Sequence, residues 1–377
     1  MELLNVLIIP DKFKGTLSAA AAAAAIACGW RRARPTDRID VLPMTDGGDG
    51  FGETFGKLLG ARPRPVSTAD AAHRPCRGRW WLAPDGRTAV VESANVIGLA
   101  MLPLGRFHPF ELDTFGLGRV IRAAAEAGAR RCLVGLGGSA TNDGGFGLAR
   151  ALGWQFLDER GASISRWIDL TNLACVVRPK RRRWFKQLQV AVDVSNPLLG
   201  ARGASRIYGP QKGLRPEDFR PAERALGRLA VVVERELGAE FATIPGAGAA
   251  GGLGFGFAAF LGARIVPGFE LFARQTQLQR RLCEADLVIT GEGALDRSTL
   301  MGKGVGEIGR RSNRQGIPCL AVGGRVSSQR RFRSLFAEIH ALDELTDLAD
   351  AKARAAFWLE RLAAQLSRRW RHADFSQ

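Results

Sequence analysis

Nine residues, Gly137-Gly-Ser-Ala-Thr-Asn-Asp-Gly-Gly145, follow the apolar run Arg131–Leu136 and combine four glycines with two hydroxyls, an amide and a carboxylate. A backbone without Cβ lets its N–H groups approach an anion closely. A helix that starts after such a loop adds free amide donors and the positive end of its dipole. Phosphate is the natural guest of that arrangement. Gly137, Gly138, Ser139 and Thr141 are the candidate donors, while Asn142 and Asp143 either orient a Mg²⁺–phosphate unit or cap the following helix. A tight turn with an N-cap is the plainer reading of the same string.

A second cluster, Pro10-Asp-Lys-Phe-Lys-Gly15, sets Asp11, Lys12 and Lys14 directly after another strand-like run, Val6–Ile9. Only eight of the 54 basic residues are lysine, yet four of them (Lys12, Lys14, Lys212 and Lys303) stand beside glycine-rich loops. A compact ammonium acts on phosphate as a point charge, unlike the planar guanidinium fork. Further strings of the same style are Ala191-Val-Asp-Val-Ser-Asn-Pro197, Tyr208-Gly-Pro-Gln-Lys-Gly213, and Thr290-Gly-Glu-Gly-Ala-Leu-Asp296 with Gly302-Lys303-Gly304. Asp46, Asp49, Asp193, Glu292 and Asp296 all follow apolar strand-like runs. Taken singly, each is an ordinary turn or cap residue. Five in equivalent places suit a proton acceptor for a substrate hydroxyl, or ligands for Mg²⁺.

Other motifs compete. Gly246-Ala-Gly-Ala-Ala-Gly251, with Glu270 further on, matches the glycine fingerprint of an NAD(P)-dependent oxidoreductase. The strand it needs would be Phe241–Ile244, short and closed by Pro245, and close packing through small residues is the better account. A Walker loop is absent, since Arg297 stands where its first glycine belongs and Gly304 replaces the hydroxyl residue. No serine lies in a Gly-x-Ser-x-Gly elbow, which removes the α/β-hydrolases.

The elements that must position these loops alternate short apolar runs with helical stretches, the pattern of an α/β protein. Strands are expected at Val6–Ile9, Ile39–Leu42, Gly78–Leu82, Thr88–Val91, Arg131–Leu136, Gln189–Val194 and Leu287–Thr290. Helices are expected around Ala19–Arg32 (with Thr16 or Ser18 as N-cap), Phe51–Leu59 and Gly116–Ala127, and an amphipathic one over Asp343–Trp370. At 377 residues the chain has room for about two domains. Residues 61–91 change character, with Pro63, Pro65, Pro75, Pro84 and Gly86 punctuating short strands. The first two strands and the last third share one βα style. The expectation is two α/β domains: a discontinuous, parallel-sheet Rossmann-like or flavodoxin-like domain over 1–61 and 281–377, and a mixed α/β domain, 62–280, inserted into it.

Hydrophobic residues at 46% and charged residues at 24% exclude a disordered chain. The net charge of +17 raises nucleic-acid binding, but the basic residues are spread, the densest run Pro179-Lys-Arg-Arg-Arg183 is short, and there is a single tyrosine. A solvated, arginine-rich surface accounts for the charge. The six cysteines form no Cys-x-x-Cys pair and none stands near a histidine at zinc-ligand spacing, which fits a reducing cytoplasm. No run nears the roughly 20 apolar residues of a membrane span. The lysines before Ala19–Cys28 superficially resemble an export signal, but that stretch follows a strand-like run and reads as a capped helix.

Together the strings PDKFKGTLSA (10–19), PMTDGGDG (43–50), GLGGSATNDGG (135–145), DVSNPLLG (193–200), GASRIYGPQKG (203–213), PGAGAAGGLGFG (245–256), PGFEL (267–271) and TGEGALD (290–296) closely resemble the bacterial glycerate kinase type I family. The resemblance runs from Pro10 into the early 330s. It implies ATP- and Mg²⁺-dependent phosphorylation of D-glycerate at the 2-hydroxyl to give 2-phosphoglycerate, with 3-phosphoglycerate the alternative product, in a cleft between two α/β domains. Under that reading Gly137–Gly145 cradle phosphates, Lys14 or Lys212 offsets the charge on the transferred group, and Asp193 or Asp296 accepts the hydroxyl proton. Asp11, Lys12, Asp46, Gly47, Gly48 and Glu292 fall to the substrate. The chain departs from the family pattern at Ala294, where arginine is usual, at Ser298 (glutamine) and at Val305 (proline). Arg297 is a candidate substitute for the missing guanidinium.

Overall fold

The computed structural model describes residues 3–181, 183–300, 304–327 and 329–370. The chain divides into two compact units, one of Met1–Asp46 with Phe269–Gln377 and one of Gly47–Gly268. β1 (Asn5–Ile8) is almost wholly buried, as its unbroken apolar run requires, and β2 (Arg38–Val41) forms an exposed edge. Between them the alanine-rich helix Ala19–Ala33 begins at Ser18, whose hydroxyl accepts the Ala21 N–H at 3.2 Å. Its buried Ala22, Ala23, Ile26 and Trp30 share a core with Leu359, Leu362 and Leu366.

The second unit carries β3 (Arg62–Ala69), β4 (Pro75–Leu82), β5 (Thr88–Glu92) and β6 (Arg131–Gly135). After these come β7 (Gln155–Leu157), β8 (Cys175–Val177), β9 (Gln187–Val192) and β10 (Arg264–Pro267). Six of them form a mixed sheet in the order β10-β9-β6-β5-β4-β3, parallel from β10 to β5 and antiparallel beyond, while β7 and β8 pair separately. β3 lies at the edge and carries Pro63 and Pro65, which have no N–H to offer a further strand.

The chain then returns to the first unit with β11 (Leu287–Leu295), β12 (Cys319–Val326) and β13 (Glu338–Ala341). The resulting sheet, β13-β12-β11-β1-β2, is parallel throughout. A parallel sheet in a discontinuous unit and a mixed sheet in the inserted one is the architecture the residue pattern implies. Because parallel strands end on one side, the loops after β1, β2, β11 and β12 leave one edge of the first sheet. Those after β5, β6, β9 and β10 leave one edge of the second.

Three details differ from expectation. The division falls after Asp46 and Gly268 rather than near 61 and 280. The helix Phe51–Leu58 goes with the second unit because Gly52 and Gly56 lie against the Trp81 ring of β4, where a Cβ would stand 2.1 and 2.7 Å from it. β11 continues to Leu295 instead of stopping at Thr290, since β12 pairs with it along that whole length. The expected helix Asp343–Trp370 is two helices, Leu348–Ala353 and Ala355–Arg369, broken at Arg354 (φ −125°, ψ 35°).

Candidate active site

β6 delivers the glycine loop. Among the described residues the N–H groups of Gly137, Gly138 and Ser139 donate to no protein acceptor. Three consecutive free amides at a strand's carboxyl end make an anion-binding concavity. The loop before Phe51–Leu58 lies against it: a Cβ on Gly137 would stand 2.6 Å from the Gly48 Cα. Gly138 has a left-handed φ of +61°, and a Cβ there would meet the Asp49 carboxylate at 2.4 Å. Gly47 in turn lies on the Ala191 carbonyl of β9. Glu92, at the end of β5, holds this loop by accepting the Gly50 and Gly52 N–H groups at 2.9 Å each.

The second half of the string faces inward. Asp143 accepts from the Thr114 amide, the Thr114 hydroxyl, Gly145 and Gly147, so it caps the helix Phe146–Ala151 and ties it to Thr114. Of its two expected roles, the geometry realises the cap. Burial, reinforced by the charge of Asp113, pushes its pKa up to about 6. Asn142 is likewise fully buried and donates to the Ser205 hydroxyl at 2.9 Å. Lys212 is 6% exposed and donates to the Ser139 hydroxyl at 3.2 Å and the Thr141 carbonyl at 2.6 Å. Burial lowers its pKa to about 7 against the opposing pull of Asp143. The Thr141 hydroxyl and the Asn142 Oδ1, both fully buried, have no hydrogen-bond partner.

Asp193 follows β9, the strand beside β6, and is exposed. Tyr208 reaches the same loop, donating to the Asn196 Oδ1 at 2.7 Å, and burial together with the Asp193 charge pushes its phenol up to about 12.

The first unit gathers a different set. Asp11 continues the line of β1 and donates its N–H to the Gly291 carbonyl of β11, while the Met44 N–H donates to Pro10 in the approach to Asp46. Burial first, then the charges of Asp46 and Glu292, raises Asp11 to about 7 despite the nearby Lys12. Asp46 and Glu292, carried by the strands on either side of β1, therefore stand close enough to act on Asp11. Thr299 is 1% exposed and bridges two of the candidates: its hydroxyl donates to the Glu292 Oε1 at 2.7 Å and accepts the Asp296 N–H at 3.2 Å. Phe13 is buried, which fixes the turn carrying Lys12 and the exposed Lys14, and Gly293 lies against the Lys14 backbone. Gly302 and Lys303 lie outside the described residues.

Glu92 and Thr299 were not among the candidates. Glu92 ends an apolar strand, the same signal that marked the other five acids. Among the described residues no group of three or more acidic, histidine or cysteine side chains is placed to hold a metal by itself. Mg²⁺ needs no such cage, because it takes one or two carboxylates and completes its shell with water and phosphate oxygens. Asp11 and Asp46, close enough for the charge of one to act on the other carboxyl, fit that requirement.

The dinucleotide alternative loses its context. Phe241–Ile244 forms no strand, and Ala250, Gly251 and Gly252 hold left-handed φ values of 54°, 74° and 85° instead of opening a helix. No helix among the described residues is long and apolar enough to cross a membrane.

Comparisons with known proteins agree with one another. A sequence model described as the Glycerate kinase family matches residues 6–371. A glycerate kinase of Halalkalibacterium halodurans is 38% identical over 325 residues, covering 85% of this chain and 86% of the relative. A glycerate 2-kinase of Escherichia coli K12 is 33% identical over 341 residues, 86% of each chain. The crystal structure of a Salmonella typhimurium LT2 protein described as a glycerate kinase 2 superposes with a TM-score of 0.84 at 33% identity, over 97% of this chain and 98% of that one.

Proposed function

The chain belongs to the glycerate kinase family, and on that premise we propose that it transfers the γ-phosphoryl group of ATP to the 2-hydroxyl of D-glycerate, giving ADP and 2-phosphoglycerate. The observation that carries the phosphate half is the run of unused amides at Gly137, Gly138 and Ser139. Phosphoryl transfer asks a protein chiefly for positioning and charge neutralisation, and those donors supply positioning without a side chain in the way. Lys212 holds the loop from behind through Ser139 and Thr141. Lys14 is the exposed ammonium available to the transferred group. Mg²⁺, held by Asp11 and Asp46, would neutralise charge on the phosphates.

Asp193 is the proton acceptor for the substrate hydroxyl in this reading, because it stands exposed at the end of the strand next to the glycine loop. Asp296 is the alternative, at the end of β11 with its amide held by Thr299. The test is ADP release coupled to D-glycerate, with the product identified by NMR. Asp193→Asn and Asp296→Asn are assayed separately, and loss of the base lowers kcat by about 10²–10⁴. Near-normal kcat in Asp193→Asn removes that assignment. Turnover with NAD(P) but not ATP removes the reading altogether.

A further inference from the structure

We propose that Arg325 recognises the substrate carboxylate. The proposal rests on the glycerate reading above and names the group that selects an acid over a neutral polyol. β1 and its continuation stay hydrogen-bonded to β11 only as far as Asp11 with Gly291, whereas β11 and β12 stay paired to Leu295 with Val326. The two strands therefore run on as a ribbon beyond the edge from which Asp11 and Asp46 leave. In that ribbon Arg325 stands directly opposite Ala294. Paired residues of a parallel ladder share a face, and the two-residue period puts Ala294 on the face of Glu292. Leu295 is buried and Gly293 lies on the Phe13–Lys14 backbone, which leaves the Ala294 face as the open one.

Arg297, the other exposed guanidinium here, starts the short helix Arg297–Leu300 and stands outside the ladder, and three properties favour Arg325. It is exposed and has no hydrogen-bond or ion-pair partner among the described residues. The side chain opposite ends at Cβ and covers nothing. Glu292, the nearby acid on that face, already accepts the Thr299 hydroxyl at 2.7 Å. Lys12, by contrast, stands in the field of Asp11. A guanidinium fork meets both oxygens of a carboxylate at once, which an ammonium does not.

The experiment measures KM for D-glycerate and for ATP, with kcat, in wild type, Arg325→Ala, Arg325→Lys and the double variant Arg325→Ala/Ala294→Arg, with melting temperatures as a folding control. The expected result is a glycerate KM raised about 30-fold or more in Arg325→Ala and by less in Arg325→Lys, since charge remains but the fork is lost. The ATP KM stays within about twofold, the pattern of lost substrate binding. The double variant recovers much of the loss, because the register returns a guanidinium to the same face from across the ladder. A glycerate KM within about twofold of wild type in both single variants overturns the proposal, as does an equal rise in both KM values. If Arg325→Ala does not fold, Arg325→Lys decides by the same criteria. Absence of glycerate-dependent ADP release in wild type is a distinct outcome: it overturns the glycerate reading, and this proposal with it.

Discussion

The ammonium of Lys212 lies 2.6 Å from the carbonyl oxygen of Thr141, inside the second unit and almost sealed from water. A lysine so placed is a poor cation at neutral pH and a firm strut at any pH. Its folded pKa of about 7 lies below the unfolded value of 10.5. The unfolded chain therefore binds more protons between those limits, and stability rises with pH across that window. Lys212→Met removes this slope. Thermal melts from pH 6 to 10 on both proteins should show wild type gaining on the variant as pH rises, and parallel curves would mean that the ammonium is solvated. The variant also loses the strut, and kcat/KM for ATP should fall by about 10².

Asp11 runs the opposite way. Its pKa is raised from 3.8 to about 7, so the folded chain binds the extra proton between those limits. The stability so gained is complete below pH 4 and is lost as pH climbs through 7. Asp11→Asn should melt above wild type at pH 8 and level with it at pH 4, while its turnover collapses. Adding MgCl₂ at pH 8 should raise the melting temperature of wild type and leave the variant unmoved. An equal response in both proteins would place the cation elsewhere.

Gly137 admits no side chain because the Gly48 Cα already occupies that space. Gly137→Ala must push two backbones apart, at a cost of about 1–3 kcal/mol, and must turn the free amides. The ATP KM should rise far more than the glycerate KM in steady-state assays. Gly161→Ala, at a turn with nothing near the missing Cβ, is the control for backbone strain alone.

Thr299 holds Glu292 and the Asp296 amide with one hydroxyl. Thr299→Val keeps the shape and removes one hydrogen bond from each of two half-buried groups, a loss of about 1–3 kcal/mol. Thr299→Ser keeps the bridge. Turnover that drops in the valine variant and persists in the serine variant is the expected signature. Equal loss in both would point to the methyl group and to packing.

The alternation of strands and helices was legible because parallel strands buried on both faces need unbroken apolar runs, such as Val6–Ile9 and Arg131–Leu136. The loops that follow them were legible because glycine, lysine and carboxylate together have few structural uses. What the string hides is direction. Asp143 and Ser139 sit four residues apart in one loop, yet the first turns inward because Thr114, 29 residues earlier, offers two donors. Thr299 looks like any threonine until Glu292 is seen beside it. Arg325 becomes visible only through the β11–β12 register, which pairing decides and composition does not. The break at Arg354 was equally hidden, since alanine and leucine continue on both sides of it.

The first strand of the chain must wait for the second of its two partners. Asn5 is hydrogen-bonded to Asp286, 281 positions further along the chain, and the stretch between belongs largely to the inserted unit. A ribosome adding about 5–20 residues per second needs roughly 15–55 s to deliver that partner. During that interval β1 has only β2 beside it and its β11 flank stays open, while Gly47–Gly268 is already complete enough to condense. Synthesis order thus lets the inserted unit condense first and leaves the parallel sheet to close last, when β11 arrives beside β1.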